Sequence, residues 1–227
     1  MLRRRDSYEA LYRDFAWAIP PRFNIGTAVS DEWAMRAPDR VALLDYRPEG
    51  EARRLTYGEL AERSNAFAAA LKARGIARGD RVALLLPQSP QTLLSHLAVY
   101  KLGAIAVPLA NLFGVDALRY RLADSGAAAI VTDSAGLAKI AEIRDELGAL
   151  RLLVCTDGAA PGALCFDTLI EKGSASFDGA ATGPDDPAMM IYTSGTTGQP
   201  KGALHGHRVL AGHLPGIQMA HEFLPQR

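Results

Sequence analysis

Residues 81–109 read RVALLLPQSPQTLLSHLAVYKLGAIAVPL, and this stretch decides the fold class. Its first six residues are almost all apolar and predict a strand. Ser89 followed by Pro90 predicts the start of a helix, Gly103 predicts its end, and residues 105–108 predict a second strand. Two strands joined by a helix form a crossover connection, which places them parallel in one sheet. The stretch therefore predicts one unit of a parallel α/β sheet.

The same alternation of helix, glycine and apolar strand continues on both sides. Thr56 and Glu59 have the spacing of a capping box for a helix over 57–74 that stops at Gly75. The further predicted helices are 115–125, closing at Gly126, and one capped by Ser134 and ending at Gly148; the strands after them are 128–132 and 151–155. We therefore expect an α/β fold in which repeated helix–strand units form a parallel sheet.

Charge and composition exclude several classes of protein. The chain has 25 lysines and arginines and 25 aspartates and glutamates, a balance that predicts no nucleic-acid partner and no membrane partner. The arginines at 3–5 are followed by acidic residues and by no apolar core, unlike a transit peptide or a secretory signal. The longest apolar stretch, 97–109, is interrupted by Lys101 and Pro108 and cannot span a bilayer. Cys155 and Cys165 are too few for a disulfide scaffold or a metal site. A cytoplasmic protein is the expectation.

Residues 192–202, YTSGTTGQPKG, carry the strongest functional signal. The apolar residues before them, from 188, predict a buried strand that opens into this loop. Three glycines allow the backbone to turn amide groups toward a ligand, four hydroxyl side chains add donors, and Lys201 adds a positive charge. The spacing is not that of a Walker A loop, because two residues separate Gly198 from Lys201 and no Ser or Thr follows the lysine. The loop predicts polyphosphate binding; a polar surface linker, the alternative, rarely combines these residues after an apolar strand.

Together with residues 203–207, this loop resembles the phosphate-binding signature of the AMP-forming acyl-CoA synthetases. Four upstream stretches are also similar to that superfamily: DRVAL at 39–43, LTYGEL at 55–60, GDRVA at 79–83 and YKLGAIAVPL at 100–109. The resemblance implies activation of a small-molecule carboxylic acid with ATP and Mg²⁺ to an acyl-adenylate, followed by transfer of the acyl group to CoA. Two more stretches, LFG at 112–114 and YRLADSG at 120–126, are similar to short- and medium-chain acyl-CoA synthetases.

The resemblance also implies which parts of a complete enzyme the 227 residues do not contain. In the superfamily an adenine-binding stretch, acidic magnesium-binding motifs, a hinge and a small C-terminal domain with a catalytic lysine follow this loop. We therefore expect the chain to be the N-terminal part of a carboxylate–CoA ligase and to be inactive alone. The alternative is a truncated, non-catalytic chain that binds a nucleotide or a partner. A P-loop kinase-like phosphotransferase is disfavoured by the loop spacing.

The expected organisation has four parts: an N-terminal helical segment at 1–25, an α/β subdomain at 26–172, a linker loop at 173–187, and residues 188–227 with the strand, the phosphate-binding loop and the start of an incomplete subdomain. In the first part, Tyr8, Leu11, Tyr12 and Phe15 fall on one helical face, which predicts a short helix laid across the body of the protein. An incomplete subdomain would leave sheet edges unpaired, and the chain could associate through them.

The residues of the loop are the candidate site. Those expected to bind ATP through its phosphates are Thr193, Ser194, Gly195, Thr196, Thr197, Gly198 and Lys201. The candidate catalytic residues are Thr196, Lys201 and His207, and Thr196 is also the candidate ligand for Mg²⁺. His205 and His207 both lie on the exit from the loop. The resemblance favours His207 as the one that approaches the substrate pocket; the alternative is a structural histidine.

Overall fold

The computed structural model describes residues 2–46, 50, 52–194 and 198–222. In these ranges the strands are β1 (Val41–Asp45), β2 (Arg53–Thr56), β3 (Arg81–Leu85), β4 (Ile105–Leu109), β5 (Ala129–Thr132), β6 (Leu152–Cys155), β7 (Leu164–Cys165), β8 (Pro187–Thr193) and β9 (Lys201–Gly206). The helices are α1 (Tyr8–Asp14), α2 (Glu32–Arg36), α3 (Tyr57–Ala73), α4 (Pro90–Leu102), α5 (Val115–Ser125), α6 (Ser134–Ala141), α7 (Phe166–Glu171) and α8 (Val209–Ala220), with a π-helical turn at Thr27–Asp31 and a 3₁₀ turn at Arg144–Glu146.

Seven strands form the central sheet in the order β7-β6-β5-β3-β4-β8-β9. The first six are parallel, as the crossover pattern predicts, and Val82 lies in register between Ala106 and Ala129. The last strand, β9, turns back antiparallel to β8. A separate antiparallel hairpin is made by β1 and β2. The predicted α/β class with a parallel sheet is confirmed, with one antiparallel strand at its edge.

Helices cover both faces of the sheet, because side chains along the central strand β3 alternate between two apolar clusters. Val82 and Leu84 belong to the cluster that contains Phe67 of α3. Ala83 belongs to the cluster on the other face, which contains Leu118 of α5. A parallel strand buried on both faces accounts for the continuous apolar run at 82–86.

Helix α6, which the sequence predicts to be capped by Ser134 and to end at Gly148, differs from the prediction at both ends. Asp133, not Ser134, caps α6, since its Oδ1 accepts a hydrogen bond of 2.8 Å from the amide of Gly136. Ser134 is engaged elsewhere, because its hydroxyl donates to Asp157 over 2.6 Å. The helix ends at Ala141 rather than at Gly148, and the turns that follow bury Ile143 under the sheet.

The N-terminal segment forms the short helix that the sequence predicts. Tyr8, Leu11, Tyr12 and Phe15 line one side of a cleft of about 180 Å³, with Met219 of α8 on the other side. The two tyrosine rings stack 6.2 Å apart and remain largely exposed to solvent. The helix α1 therefore lies across α8 through the face expected from its spacing.

Residues 173–186 contain no helix or strand, and the strands on either side of this segment belong to the same sheet. Strands β8 and β9 extend the sheet of the α/β subdomain. The division of the chain into four parts stays a prediction. Among the described residues, no helix is both long enough and apolar enough to cross a membrane.

The isolated 227-residue chain is expected to self-associate through the β9 edge. Within the described part of the chain, β9 pairs only with β8, and Leu204 on β9 is 53% exposed. An unpaired apolar edge recruits other strands, and a lysine placed there opposes this. We expect light scattering after size exclusion to show oligomers and an apolar dye to bind, and Leu204→Lys to reduce both.

The control for this substitution is Leu112→Lys, which alters a 96% exposed leucine outside the sheet and should change neither measurement. A monodisperse monomer that unfolds cooperatively and binds no dye would contradict the expectation.

Candidate functional site

The predicted phosphate-binding loop is the turn of the β8–β9 hairpin. Because β8 runs parallel to β4, its end at Thr193 lies at the edge of the sheet where the other parallel strands also end. This carboxyl edge is where open α/β sheets bind their ligands. Thr193 and Ser194 are exposed there, and Lys201 faces them as the register partner of Thr193. Gly195, Thr196 and Thr197 lie outside the described residues.

The backbone re-enters the described part of the chain at Gly198, whose φ is +93°. Residues with a side chain rarely adopt this conformation, so glycine is needed at this turn. The next two residues lead directly into β9, which starts at Lys201. The hairpin therefore places one lysine side chain and at least two hydroxyl side chains, those of Thr193 and Ser194, around one exposed turn.

The base of the loop is anchored on helix α5. The hydroxyl of Tyr120 donates a hydrogen bond of 3.0 Å to the carbonyl of Pro200, on the exit from the loop. The hydroxyl of Tyr192, on the entry, donates to Asp124 Oδ2 over 2.5 Å. Burial, and then the Asp124 carboxylate, raise the pKa of Tyr192, so that its phenol stays protonated as a donor. One helix thus holds both ends of the loop.

A basic side chain, Arg121, packs beside this anchor. Its guanidinium lies 4.2 Å from the ring centroid of Phe113 and 5.8 Å from that of Tyr192. Lys139 of α6 donates to the carbonyl groups of Asn111 and Phe113 at 2.8 and 3.0 Å, which fixes the turn after β4. Arg121 therefore packs against Tyr192 at the entry of the loop, and Lys139 fixes the neighbouring turn that carries Phe113.

Sequence reasoning did not identify Tyr120, Arg121 or Asp124 as residues of the site. Their stretch contributed only to the resemblance, although Tyr120 and Asp124 stand four residues apart and therefore share one face of the predicted helix. That spacing was the available signal. It did not reveal that the face would pack on the loop, because the pairing of β8 beside β4 is a long-range contact.

The structure does not bring His207 to the loop. Lys201 is the first residue of β9, and His207 follows the last. The six steps from Lys201 to His207, at about 3.3 Å each along a strand, place the two Cα atoms roughly 20 Å apart. His207 is fully buried, and its Nδ1 accepts a 3.1 Å hydrogen bond from the amide of Ile25. Burial lowers the pKa of His207 to about 4, so the ring is neutral near pH 7.

The position of His207 favours a structural role, in which it ties the start of the helical turns at Ile25 to the end of β9. His205, two residues earlier on β9, is half-buried and is the register partner of Met189. The catalytic role of His207 stays a prediction that its place in the fold does not favour.

The chemistry available at the loop is the binding of a polyanion. Hydroxyl groups, backbone amides of a glycine-rich turn and a lysine ammonium are donors that match phosphate oxygens. Groups of three or more His, Cys, Asp or Glu side chains that could hold a metal are absent from the ranges that the structure describes. A magnesium ion at this site would therefore depend on phosphate oxygens, hydroxyl groups and residues outside these ranges.

Comparison with known proteins gives the same interpretation. Residues 30–226 match the AMP-binding enzyme family. The acetyl-coenzyme A synthetase of Emericella nidulans is 30% identical over 93% of this chain, but the match covers only 34% of that protein. The crystal structure of a Brucella canis acyl-CoA synthetase superposes with a TM-score of 0.83 at 26% identity, over 94% of this chain and 40% of that one.

A third comparison is with the anthranilate CoA ligase AuaEII, solved in complex with anthranoyl-AMP. It has a TM-score of 0.75 and 29% identity, over 84% of this chain and 36% of that one. The chain thus spans about a third of the length of the curated relatives it matches. Since the family match extends over most of the 227 residues and includes the loop after β8, the chain belongs to the AMP-binding enzyme family.

Proposed function

We propose that the chain is the N-terminal part of an AMP-forming carboxylate–CoA ligase and supplies its phosphate-binding loop. The observation that carries the proposal is the β8–β9 hairpin, which presents Thr193, Ser194 and Lys201 at the carboxyl edge of the parallel sheet. The family match and the ligases among the relatives support it. The complete enzyme would activate a carboxylic acid with ATP to an acyl-adenylate and then form the acyl-CoA.

In the proposed reaction, the carboxylate attacks the α-phosphorus of ATP and pyrophosphate leaves. Thr193, Ser194 and the loop amides would hold the β- and γ-phosphates, together with Gly195, Thr196, Thr197 and Gly198. Lys201 would offset the negative charge that builds on the departing pyrophosphate. Mg²⁺ would neutralise charge on the phosphates, with the Thr196 hydroxyl as a candidate ligand.

The contribution of helix α5 to this mechanism is orientation. Tyr120 and Asp124 hold the exit and entry of the loop, so the loop donors need little reorganisation when the phosphates bind. Preorganised donors stabilise developing charge more than mobile ones do. Small acids are the substrate class we propose, because the names of two of the relatives, an acetyl-coenzyme A synthetase and an anthranilate CoA ligase, contain a small carboxylic acid.

The test of the proposal is acid-dependent exchange of pyrophosphate into ATP by the full-length ligase, with acetate, medium-chain fatty acids and benzoate offered separately. Lys201→Ala removes one charge-assisted contact, which is worth about 1.5–3 kcal/mol. We therefore expect exchange at subsaturating MgATP to fall by about 10- to 150-fold, since 1.36 kcal/mol is a factor of ten.

The matched control is Lys172→Ala, which removes an exposed lysine at the end of α7 and should leave exchange unchanged. Unchanged exchange kinetics in Lys201→Ala would refute the role of this lysine. Absence of exchange with every acid in the unaltered ligase would refute the function itself and would favour a non-catalytic binding role.

A further inference from the structure

Two cysteines that are ten residues apart in the sequence meet at the edge of the sheet farthest from the loop. Strands β6 and β7 are parallel neighbours, and Cys155 is the register partner of Cys165. Neighbouring strands lie about 4.8 Å apart, which falls within the separation of roughly 4.4–6.8 Å between the Cα atoms of a disulfide. Side chains of register partners point to the same face of a sheet. Both thiols are free.

The local backbone can accommodate a bond between these two residues. Strand β7 has only two residues and is an edge strand, so it can shift toward β6 without disturbing a further strand on its outer side. A disulfide needs Cβ atoms about 3.8 Å apart, closer than ordinary sheet neighbours, and a small movement of β7 would provide this.

The two thiols differ chemically. Cys155 is buried and its Sγ donates a 3.0 Å hydrogen bond to Asp157 Oδ1. Burial, reinforced by this carboxylate, raises the pKa of Cys155 and keeps it a thiol. Cys165 is only half-buried, and a hydrogen bond from the backbone amide of Thr168 lowers its pKa. Thiolate character and access to solvent determine which cysteine reacts first.

We propose that Cys155 and Cys165 form a reversible oxidation site, in which a peroxide oxidises Cys165 and Cys155 then closes an intramolecular disulfide. In the first step the Cys165 thiolate attacks one peroxide oxygen, the O–O bond breaks, hydroxide leaves, and Cys165 becomes a sulfenic acid. The sulfur loses two electrons and the peroxide gains them.

In the second step the Cys155 sulfur attacks the Cys165 sulfur and the S–O bond breaks. The proton of Cys155 and the departing hydroxyl leave together as water, and Asp157 stands on the path of that proton. A dithiol reductant reverses the reaction by exchange. The site lies at the β7 end of the sheet, opposite the β8–β9 hairpin, so it does not depend on the proposed ligase activity.

The test uses the 227-residue chain, brief exposure to hydrogen peroxide and mass spectrometry of the intact chain and its peptides. The unaltered chain should lose two hydrogen atoms and both titratable thiols, and a dithiol reductant should restore them. Cys155→Ser should stop at the sulfenic acid, which dimedone traps at Cys165. Cys165→Ser should react with dimedone at least about tenfold less, because its remaining thiol is buried and protonated.

The same labelling in guanidinium chloride controls for the fold. There the two single variants should label equally, because both cysteines are then exposed with ordinary pKa values. Retention of the Cys165 preference in denaturant would overturn the proposal, as would preferential labelling of Cys155 in the native chain. Oxidation of the native chain to disulfide-linked dimers or sulfinic acid, in place of the internal disulfide, would also overturn it.

Discussion

Acid-dependent exchange of pyrophosphate into ATP by the isolated 227-residue chain is expected to stay at background. The chain carries the phosphate-binding loop but spans about a third of the length of its ligase relatives. A phosphate clamp alone cannot hold a carboxylate in line with the α-phosphorus of ATP. Such positioning can lower a barrier by about 7–11 kcal/mol, so its loss should remove almost all turnover.

The measurement compares the isolated chain with the full-length ligase under the same conditions, across acetate, medium-chain fatty acids and benzoate. Formation of the CoA thioester by the full-length ligase only is the expected pattern. Exchange above background by the isolated chain, with any of these acids, would show that residues 1–227 contain a working adenylation site and would contradict the expectation. Binding of pyrophosphate without exchange agrees with it, because the loop donors are still present.

The repeating pattern of the sequence predicted the fold class well, because each of its signals is local. The Ser89 cap, Pro90 after it and the left-handed Gly103 occur in the structure as predicted, with Gly103 at a φ of +71°. The capping box of Thr56 and Glu59 is also formed, with both hydrogen bonds present. Such features depend on residues within a few positions of one another, so one sequence is sufficient to find them.

The order of the strands and the anchoring of the loop were not predicted, because both depend on contacts between distant parts of the chain. Tyr120 reaches Pro200 across 80 positions, and Tyr192 reaches Asp124 across 68. The pairing of Cys155 with Cys165 likewise depends on β7 adding to β6. A strand of two residues is too short to be predicted from the sequence pattern. The turn after β8 follows from the local sequence, whereas the helix that holds it depends on the long-range pairing of β8 with β4. Phosphate binding at this turn stays a prediction.

Lys101 makes a set of buried polar contacts that the sequence did not predict. The charge of Lys101 predicted that residues 97–109 do not cross a membrane, and residues 90–102 form helix α4 of the α/β core. The side chain is nevertheless 1% exposed. Its ammonium contacts Asp31 Oδ2 at 2.8 Å, Ser64 Oγ at 2.8 Å and Asn65 Oδ1 at 2.7 Å. These contacts join α4 to α3 and to the π-helical turn.

Removing Asp31 is expected to destabilise the fold more than any exposed substitution would. Breaking a buried ion pair leaves an uncompensated charge and typically costs about 3–5 kcal/mol. Asp31 retains 23% exposure of its side chain, so we expect the lower end, about 3 kcal/mol, for Asp31→Ala. The measurement is urea unfolding of the 227-residue chain carrying Leu204→Lys, which limits association.

Asp116→Ala is the matched control, because Asp116 forms an ion pair with Arg119 but its side chain is 94% exposed. An exposed pair contributes about 0–1 kcal/mol, so this variant should remain close to the parent in stability. Adding Lys101→Met to Asp31→Ala should recover much of the loss, since no charge is then left buried. If Asp31→Ala costs no more than Asp116→Ala, the ion pair does not stabilise the fold.

Alkaline pH provides a second, independent measure of the same ion pair. Burial lowers the pKa of Lys101 below its ordinary value of 10.5. The Asp31 carboxylate opposes this shift because it stabilises the protonated ammonium group. In Asp31→Ala the lowered pKa falls further, so as pH rises the folded chain releases this proton before the unfolded chain does. Between the two pKa values the unfolded chain binds more protons, and stability then increases with pH. The deficit of Asp31→Ala relative to its parent should therefore shrink as pH rises from neutrality toward 10.5, the ordinary pKa of a lysine. The deficit of Asp116→Ala should not change over that range, and a constant deficit in both variants would mean that the Lys101 charge does not cause the loss.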